Sequence, residues 1–218
     1  IARALMEVVQ KEVKNRGGME IRLQVKRENK AAEALYQSLG YDSLGTVTTW
    51  NMLSSRQYMS NEAVFFEGNQ VNVTKLPPSR WEDAYRLDMS TKHADLYWPE
   101  PLQREEYRRN LKRRLSDFFS GKGLETWAVI GSANDLQGIA SISSEWGRAH
   151  QLRVRVHPAK QGSLESALVQ TLLYRLQFLP RSQVRFLHYA DDVEMNALLT
   201  KLRFRKERSL TQMRLNLT

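Results

Sequence analysis

The sequence predicts a mixed α/β (α+β) fold in which helices flank a mixed sheet. Helical and strand periods alternate along most of the 218 residues. Hydrophobic residues make up 41% of the chain, which is enough for a packed core. The chain also resembles itself at a fixed spacing, and this self-similarity divides it into two unequal parts.

Residues 1–53 predict helix, strand, helix and strand. The first helix carries an apolar residue at every fourth position and stops at a Gly-Gly pair, and the first strand alternates strictly between apolar and polar residues. The predicted elements are a helix up to Gly17, a strand at 19–26, a helix at 30–39, and a strand at 41–53 that is interrupted near Gly45.

The rest of the chain predicts a longer series of strands and helices. Residues 54–70 show no period and are interpreted as a connector. The predicted strands after it are 71–76, 126–131, 136–146, 150–156, 184–189 and 204–217, and the predicted helices are 79–90, 104–119, 164–179 and 193–202.

One fixed offset, which we call the repeat offset, places Ala2 on Glu165 and superimposes residues 1–53 on 164–216 without a gap. It pairs apolar residues in both helices and both strands, among them Leu5 with Leu168 and Val47 with Leu210. A register kept over about fifty residues is more than periodicity alone explains. The sequence therefore predicts the C-terminal half of one module at 1–53, a connector at 54–70 and a complete second module at 71–218. A complete first copy would need about ninety residues ahead of Ile1.

Residues 25–41, VKRENKAAEALYQSLGY, carry the most informative motif: a strand is followed at fixed spacing by Asn29, Ala32, Leu35-Tyr36 and Gly40-Tyr41. This motif resembles the GNAT superfamily of acyl-CoA-dependent N-acyltransferases. The preceding segment 1–6, IARALM, is similar to the end of that family's pyrophosphate-binding signature, with Ala2 as its last small residue.

The resemblance implies an N-acetyltransferase that moves an acetyl group from acetyl-CoA, as co-substrate, to an amine of a small molecule or peptide. It implies that Tyr36 is catalytic and protonates the departing thiolate. The implied cofactor-binding residues are Ile1, Ala2, Arg3, Ala4, Asn29 and Ala32. The family's general base would lie in the front half that the first module lacks.

Physical reasons support these residue types at the start of the first helix. A small residue there lets pyrophosphate oxygens approach free backbone N–H groups and the positive end of the helix dipole.

Two alternatives stay open for the residues of the motif. Asn29 can cap the helix that begins at Lys30, a role compatible with cofactor contact, and Tyr36 can be a half-buried core residue.

The second module keeps the scaffold and loses the motif. The repeat offset replaces Ala2 by Glu165, Asn29 by Asp192 and Tyr36 by Leu199. A carboxylate repels a pyrophosphate, and leucine cannot transfer a proton. The run 160–162, Lys-Gln-Gly, keeps part of a phosphate loop, so an alignment through Gln161 also stays open. We interpret this module as degenerate.

Composition restricts the remaining function classes. The absence of cysteine excludes disulfides, a thiolate zinc site and a cysteine nucleophile, and fits a reducing compartment. The four histidines lack the spacing of a metal site, so no metal is predicted. The cluster Asp191-Asp192 with Glu194 fits either a cation site or a solvated helix start, and the second is favoured.

Partners and location follow from charge and hydropathy. The net charge of +9 suggests a polyanion, but apolar residues interrupt the basic runs 104–114 and 201–208, so nucleic acid ranks last as a partner. No stretch is long and apolar enough for a membrane span, and residues 1–10 lack a signal layout, so we expect a soluble, cytoplasmic protein.

Two further expectations concern the incomplete first module. Its strand edge and apolar face should either dock on the second module or pair with another chain as a homo-oligomer. Because the complete copy has lost the motif, a catalytically inactive GNAT-like binding or scaffolding module is the alternative function.

Overall fold

A computed structural model describes residues 1–55, 71–90, 96, 104–108 and 119–217. The described strands are β1 (Glu20–Lys26), β2 (Asp42–Met52), β3 (Val73–Lys75), β4 (Lys122–Ile130), β5 (Leu136–Glu145), β6 (His150–Val156), β7 (Val184–Tyr189) and β8 (Arg205–Asn216). The described α-helices are α1 (Ala2–Asn15), α2 (Lys30–Ser38), α3 (Trp81–Ser90), α4 (Arg104–Tyr107), α5 (Glu165–Leu176) and α6 (Val193–Lys201). Within these ranges no helix is long and apolar enough to cross a membrane.

Most predicted elements agree with the structure to within a few residues. The clearest difference is β4, which begins at Lys122 and not at 126 because its first residues pair with the end of β5, Lys122 opposite Glu145. That stretch does not alternate in polarity, so only the pairing reveals it. Most of the connector predicted at 54–70 and most of the helix predicted at 104–119 lie outside the described residues.

The eight described strands form one mixed sheet in the order β1-β8-β2-β7-β6-β5-β4-β3. Among these described strands only β6 and β7 are parallel; the other neighbours are antiparallel. The predicted mixed sheet is thus confirmed. Residues 1–53 dock on the rest of the chain through β2 and β8, the first of the two expectations for that segment.

The four strands β1-β8-β2-β7 at one end of the sheet have a local two-fold symmetry. Val47 lies opposite Leu210, which is its own counterpart under the repeat offset. The pair Lys26 and Leu210 between β1 and β8 becomes, under the same offset, the pair Tyr189 and Val47 between β7 and β2. The register of three strand pairs therefore obeys one symmetry operation.

Buried hydroxyl pairs repeat this symmetry on either side of the central pair. Thr46 Oγ1 lies 3.0 Å from Thr211 Oγ1, and Thr48 Oγ1 lies 2.9 Å from Ser209 Oγ. The repeat offset converts one pair into the other. Each pair satisfies two hydroxyls that the sheet withdraws from water.

The two related segments exchange their last strands. β1 corresponds to β7 and β2 to β8, yet β1 pairs with β8 and β7 pairs with β2. The sequence did not predict this exchange, because hydrophobic periodicity shows which face of a strand is buried and says nothing about its partner. With the pairing of β2 and β8, the exchange joins residues 1–53 to the rest by three antiparallel ladders.

Engineered cysteines test the exchange, since the chain has no cysteine of its own. Asn51 lies opposite Arg185 across β2 and β7. We expect an Asn51→Cys/Arg185→Cys variant to form an intramolecular disulfide under mild oxidation, because directly opposed strand residues lie within about 5.5 Å. Peptide mapping by mass spectrometry identifies the linked pair.

The matched control replaces Arg185 by its symmetry counterpart, Arg22 of β1. Without an exchange, β2 would pair with β1 and an Asn51→Cys/Arg22→Cys variant would form the disulfide. Efficient cross-linking of that control, with no linkage in the first variant, would contradict the observed strand order.

Three hydrophobic clusters lie against the sheet. The largest packs α5 and α6 on the sheet, and the leucines of α5 that face it, Leu168, Leu172 and Leu176, are fully buried. A second cluster lies under α3 and a third under α1 and α2. α5 contacts β3 to β6.

Candidate functional site

The start of α1 has no side-chain cap among the described residues. Ile1 is the N-cap residue and makes no side-chain cap hydrogen bond with the described residues, and the first turn contains no acidic residue. The four predicted cofactor-binding residues here, Ile1 to Ala4, are all exposed. A small residue and an uncompensated helix dipole make this position suited to an anion.

Arg3 connects the start of α1 to the end of α2. Its guanidinium donates a hydrogen bond to the Ser38 hydroxyl, which in turn donates to the Leu35 carbonyl at 2.7 Å. A cation in the first turn opposes the helix dipole. The Arg3 side chain contacts α2, through Ser38, and not its own helix. The contact brings the predicted pyrophosphate position close to the predicted catalytic residue, two positions before Ser38.

Tyr36 is half-buried in the cluster beneath α1 and α2. It packs beside Met6 and meets Tyr41 edge-on, with ring centroids 5.7 Å apart. Burial raises the pKa of the Tyr41 hydroxyl. The packing is compatible with both interpretations of Tyr36, the proton donor and the core residue.

Asn29 caps α2. Its Oδ1 accepts a hydrogen bond from the Ala32 backbone N–H at 3.1 Å, as the capping alternative predicted. Asn29 is exposed, whereas Ala32 is half-buried beneath the helix. Because α2 separates Asn29 from Ser38 by about 13 Å along the helix axis, the structure does not bring Asn29 to the start of α1. Only an extended ligand could contact both.

The corresponding start of α5 is closed by its own carboxylate. Glu165 is only 7% exposed, and its Oε2 accepts a hydrogen bond from the Leu164 backbone N–H at 3.1 Å. A carboxylate in this position neutralises the positive end of the helix and removes the place that a phosphate would take. The helix starts of α1 and α5, which the repeat offset superimposes, thus have opposite electrostatics.

In residues 164–216 the replacements at the other two motif positions keep the local structure and lose the motif residue. Asp192 caps α6 by accepting from the Met195 backbone N–H at 3.0 Å, as Asn29 caps α2. Leu199, the counterpart of Tyr36, is fully buried in the main cluster. The cap is therefore retained and the hydroxyl is lost.

A cavity of about 300 Å³ lies where β6 and β7 separate. The parallel pairing of these strands ends at Leu152 and Phe186, and the residues beyond that point line the cavity. Its polar lining comes from Arg155, Gln161, Glu165, His188, Tyr189, Asp191, Asp192 and Glu194. Sequence reasoning identified the cluster of Asp191, Asp192 and Glu194, and Glu165 separately, but not the cavity that they line together.

A buried ionic network supports one wall of this cavity. Asp88 is fully buried and accepts hydrogen bonds from Arg155 Nε at 2.9 Å and from the Tyr107 hydroxyl. Burial, and then the neighbouring Asp88 carboxylate, raise the pKa of Tyr107. The Arg155 guanidinium also lies over the Tyr189 ring, 5.3 Å from its centroid.

Sequence reasoning missed this network, although one signal was present. Asp88 lies one helical turn after Ala84 and next to Leu87, on the apolar face of α3. A carboxylate on a buried face requires a cationic partner, and here that partner, Arg155, lies in a distant part of the sequence.

The described histidine and carboxylate residues, which do not include His93, do not assemble a metal site. Among the described residues no group of three or more histidine or acidic side chains could hold a metal ion. Asp192 instead accepts the α6 cap and lies 2.8 Å from His188 Nε2. This agrees with the helix-start interpretation of the acidic cluster.

Comparison with solved structures identifies the fold. The chain aligns with a GCN5-related N-acetyltransferase from Sphaerobacter thermophilus over 99% of its own length and 68% of the other, with a TM-score of 0.60 and 11% identity. A tandem GNAT protein from the clavulanic acid biosynthesis pathway matches over 99% and 70%, with a TM-score of 0.57 and 13% identity.

A conserved protein of unknown function from Staphylococcus epidermidis matches over 97% and 78% of the two chains, with a TM-score of 0.59 and 10% identity. No family model and no curated protein matches the sequence. The chain has the GNAT fold.

Proposed function

We propose that this chain is an N-acetyltransferase that transfers an acetyl group from acetyl-CoA to an amine of a small molecule or peptide. The observation that carries the proposal is the contrast between two corresponding helix starts. The first turn of α1 has the small residue Ala2 and no acidic side chain, whereas the start of α5 has the buried Glu165. The GNAT fold of several solved acetyltransferases supports it. A cytoplasmic location is part of the proposal and rests on the cysteine-free composition.

The proposed residues bind the cofactor or hold a proton. Acetyl-CoA supplies an activated thioester when bound. The N–H groups of the first turn of α1 donate to the pyrophosphate because Ala2 leaves them accessible, and Arg3 adds a cation beside them. Asn29 and Ala32 contact the cofactor at the other end of α2. The Tyr36 hydroxyl holds the proton that the thiolate sulfur receives.

We also propose that residues 1–53 are half of a GNAT-like module and residues 71–218 a second, degenerate one, joined at 54–70. Leu5 of α1 is 62% exposed, whereas its counterpart Leu168 in α5 is fully buried against the sheet. The described sheet thus offers α1 fewer strands to pack on than it offers α5. The match to a tandem GNAT protein supports this division.

The alternative function is a catalytically inactive GNAT-like binding or scaffolding module. Glu165 at the start of α5 and the buried Leu199 favour it for residues 71–218. A second copy of this chain that covers the exposed face of α1 would make the protein a homo-oligomer, the partner proposal that belongs to this alternative.

The role of Tyr36 is tested by a Tyr36→Phe variant, which keeps the ring and its packing against Tyr41. We expect kcat to fall by about 10² to 10⁴, the usual contribution of a general acid, while the affinity for acetyl-CoA stays within a few-fold. Steady-state kinetics with a fixed amine acceptor measure both values.

The matched control is Tyr174→Phe, since Tyr174 is exposed on α5 and also packs edge-on against an aromatic ring, Phe178. It should leave kcat unchanged. Full turnover in the Tyr36→Phe variant would make Tyr36 a core residue and remove it from the mechanism.

A further inference from the structure

The face of the sheet opposite α5 and α6 carries arginines from two strands that flank β2. Phe186 of β7 lies in the main cluster under α5 and α6, so the preceding Arg185 points to the opposite face. Phe204, just before β8, lies in the same cluster, so Arg205 points the same way as Arg185. Asn51 of β2 lies between the two arginines and opposite both.

A third arginine extends this group along β8. The next residue on the same face of β2 is Thr49, and Arg208 lies opposite it. We call Arg185, Arg205 and Arg208 the arginine patch. Since β7 and β8 are two strand spacings apart, the patch is about 10 Å wide. Leu187, opposite Thr49 on β7, is 49% exposed, which shows that the face is open to solvent here.

The positive charge of the arginine patch is poorly compensated. Arg205 and Arg208 are exposed and make no ion pair with the residues that the structure describes. Arg185 Nη2 lies 3.5 Å from Glu207 Oε1, and Arg185 Nε is buried without a hydrogen-bond partner in the described part of the chain. This part of the face is therefore positive and attracts a polyanion.

The structure also explains why the charge run around this patch is broken by apolar residues. Arg205 and Arg208 belong to the basic run 201–208, in which Phe204 is buried in the main cluster. The interruption reflects a strand with one buried face, and it does not count against a polyanionic partner. Arg185 joins the patch from a different strand, so no local charge run reveals it.

We propose that the arginine patch binds the phosphate backbone of a nucleic-acid duplex. A guanidinium pairs with phosphate through two parallel hydrogen bonds. A duplex carries one negative charge per about 1.7 Å of its axis, so roughly six charges fall within the width of the patch. An extended acidic peptide points a side chain to one face only about every 6.6 Å, and it offers fewer charges over the same width.

The aromatic residue on this face favours a duplex over a single strand. Tyr189 of β7 is only 7% exposed and lies beneath the Arg155 guanidinium, so it offers no surface on which an unpaired base could stack. The patch is also separate from the acyl-CoA position proposed at α1. Met213 lies under α1 and α2, five residues after Arg208 on β8, so the patch and these helices lie on opposite faces.

The test measures fluorescence anisotropy of a labelled 20-bp DNA duplex titrated with the full chain. Three phosphate contacts predict that the affinity falls about 40-fold between 50 and 200 mM salt. Unlabelled duplex should displace the probe, whereas poly-L-glutamate at the same charge concentration should displace it far less. Absence of binding at 50 mM salt, or equal displacement by poly-L-glutamate, would overturn the proposal. Tighter binding of the single strand than of the duplex would overturn it as well.

A double variant locates the binding. Arg205→Gln/Arg208→Gln should weaken duplex binding at 50 mM salt at least tenfold and lower the salt slope by about two. The control Lys11→Gln/Lys14→Gln removes the same charge from exposed positions of α1, on the other face of the sheet, and should change the affinity by less than twofold. An equal loss in the two variants would show a general charge effect and contradict a site at the arginine patch.

Discussion

An Ala2→Glu variant of the full chain should lose acetyl-CoA binding. The change copies the residue that closes the start of α5, where Glu165 accepts the N–H of Leu164. A carboxylate about 4 Å from a phosphate oxygen costs about 4 kcal/mol at the effective dielectric near a protein surface. We expect an affinity loss of at least about 100-fold, measured by isothermal titration calorimetry.

The control for this prediction is Asn15→Glu, which adds the same charge at an exposed position at the other end of α1. It should bind acetyl-CoA as the unmodified chain does, because residue 15 lies about 20 Å along the helix axis from Ala2. Unchanged affinity in the Ala2→Glu variant would remove the cofactor from this helix start.

An Asp88→Ala variant should unfold far more easily than the unmodified chain. Asp88 is fully buried, and Arg155, the partner at 2.9 Å, is only 6% exposed. Removal of the carboxylate leaves the guanidinium buried without its counter-ion and the Tyr107 hydroxyl without its acceptor. Such a loss typically costs about 3 to 5 kcal/mol in the free energy of unfolding, which urea denaturation measures.

The control is Glu82→Ala on the same helix. Glu82 also pairs with an arginine at 2.8 Å, Arg104, but both side chains are about half exposed. Water already solvates such a pair, so its loss should change the free energy of unfolding by less than about 1 kcal/mol. Similar losses in the two variants would contradict the buried network.

The faces of several elements were predictable from sequence, and their partners were not. The alternation in β1 is a local pattern that the chain retains in the fold. In α1 the period of four does not mark a buried face, because Leu5 and Val9 are exposed and Met6 packs on the third cluster. The position of β8 between β1 and β2 depends on pairings between opposite ends of the chain, such as Val47 with Leu210. Periodicity does not encode such pairings, although the repeat offset, which maps β2 onto β8, contained the symmetry.

For the candidate site, the sequence predicted candidate residues but not their arrangement in space. The motif located Ala2, Asn29 and Tyr36, and the alignment showed Glu165 in place of a small residue. It did not show that Glu165 closes its helix start or that it lines a cavity together with His188, because both depend on where β6 and β7 separate. Asp88 could have been found as a charge on an apolar helix face, but its partner could not.

The difference between the two helix starts is the central claim, and backbone amide resonances report on it most directly. In a titration of the ¹⁵N-labelled full chain with acetyl-CoA, the amides of residues 2–5 should shift in a saturable manner and those of residues 164–167 should not. Saturable shifts at 164–167 with none at 2–5 would contradict the account.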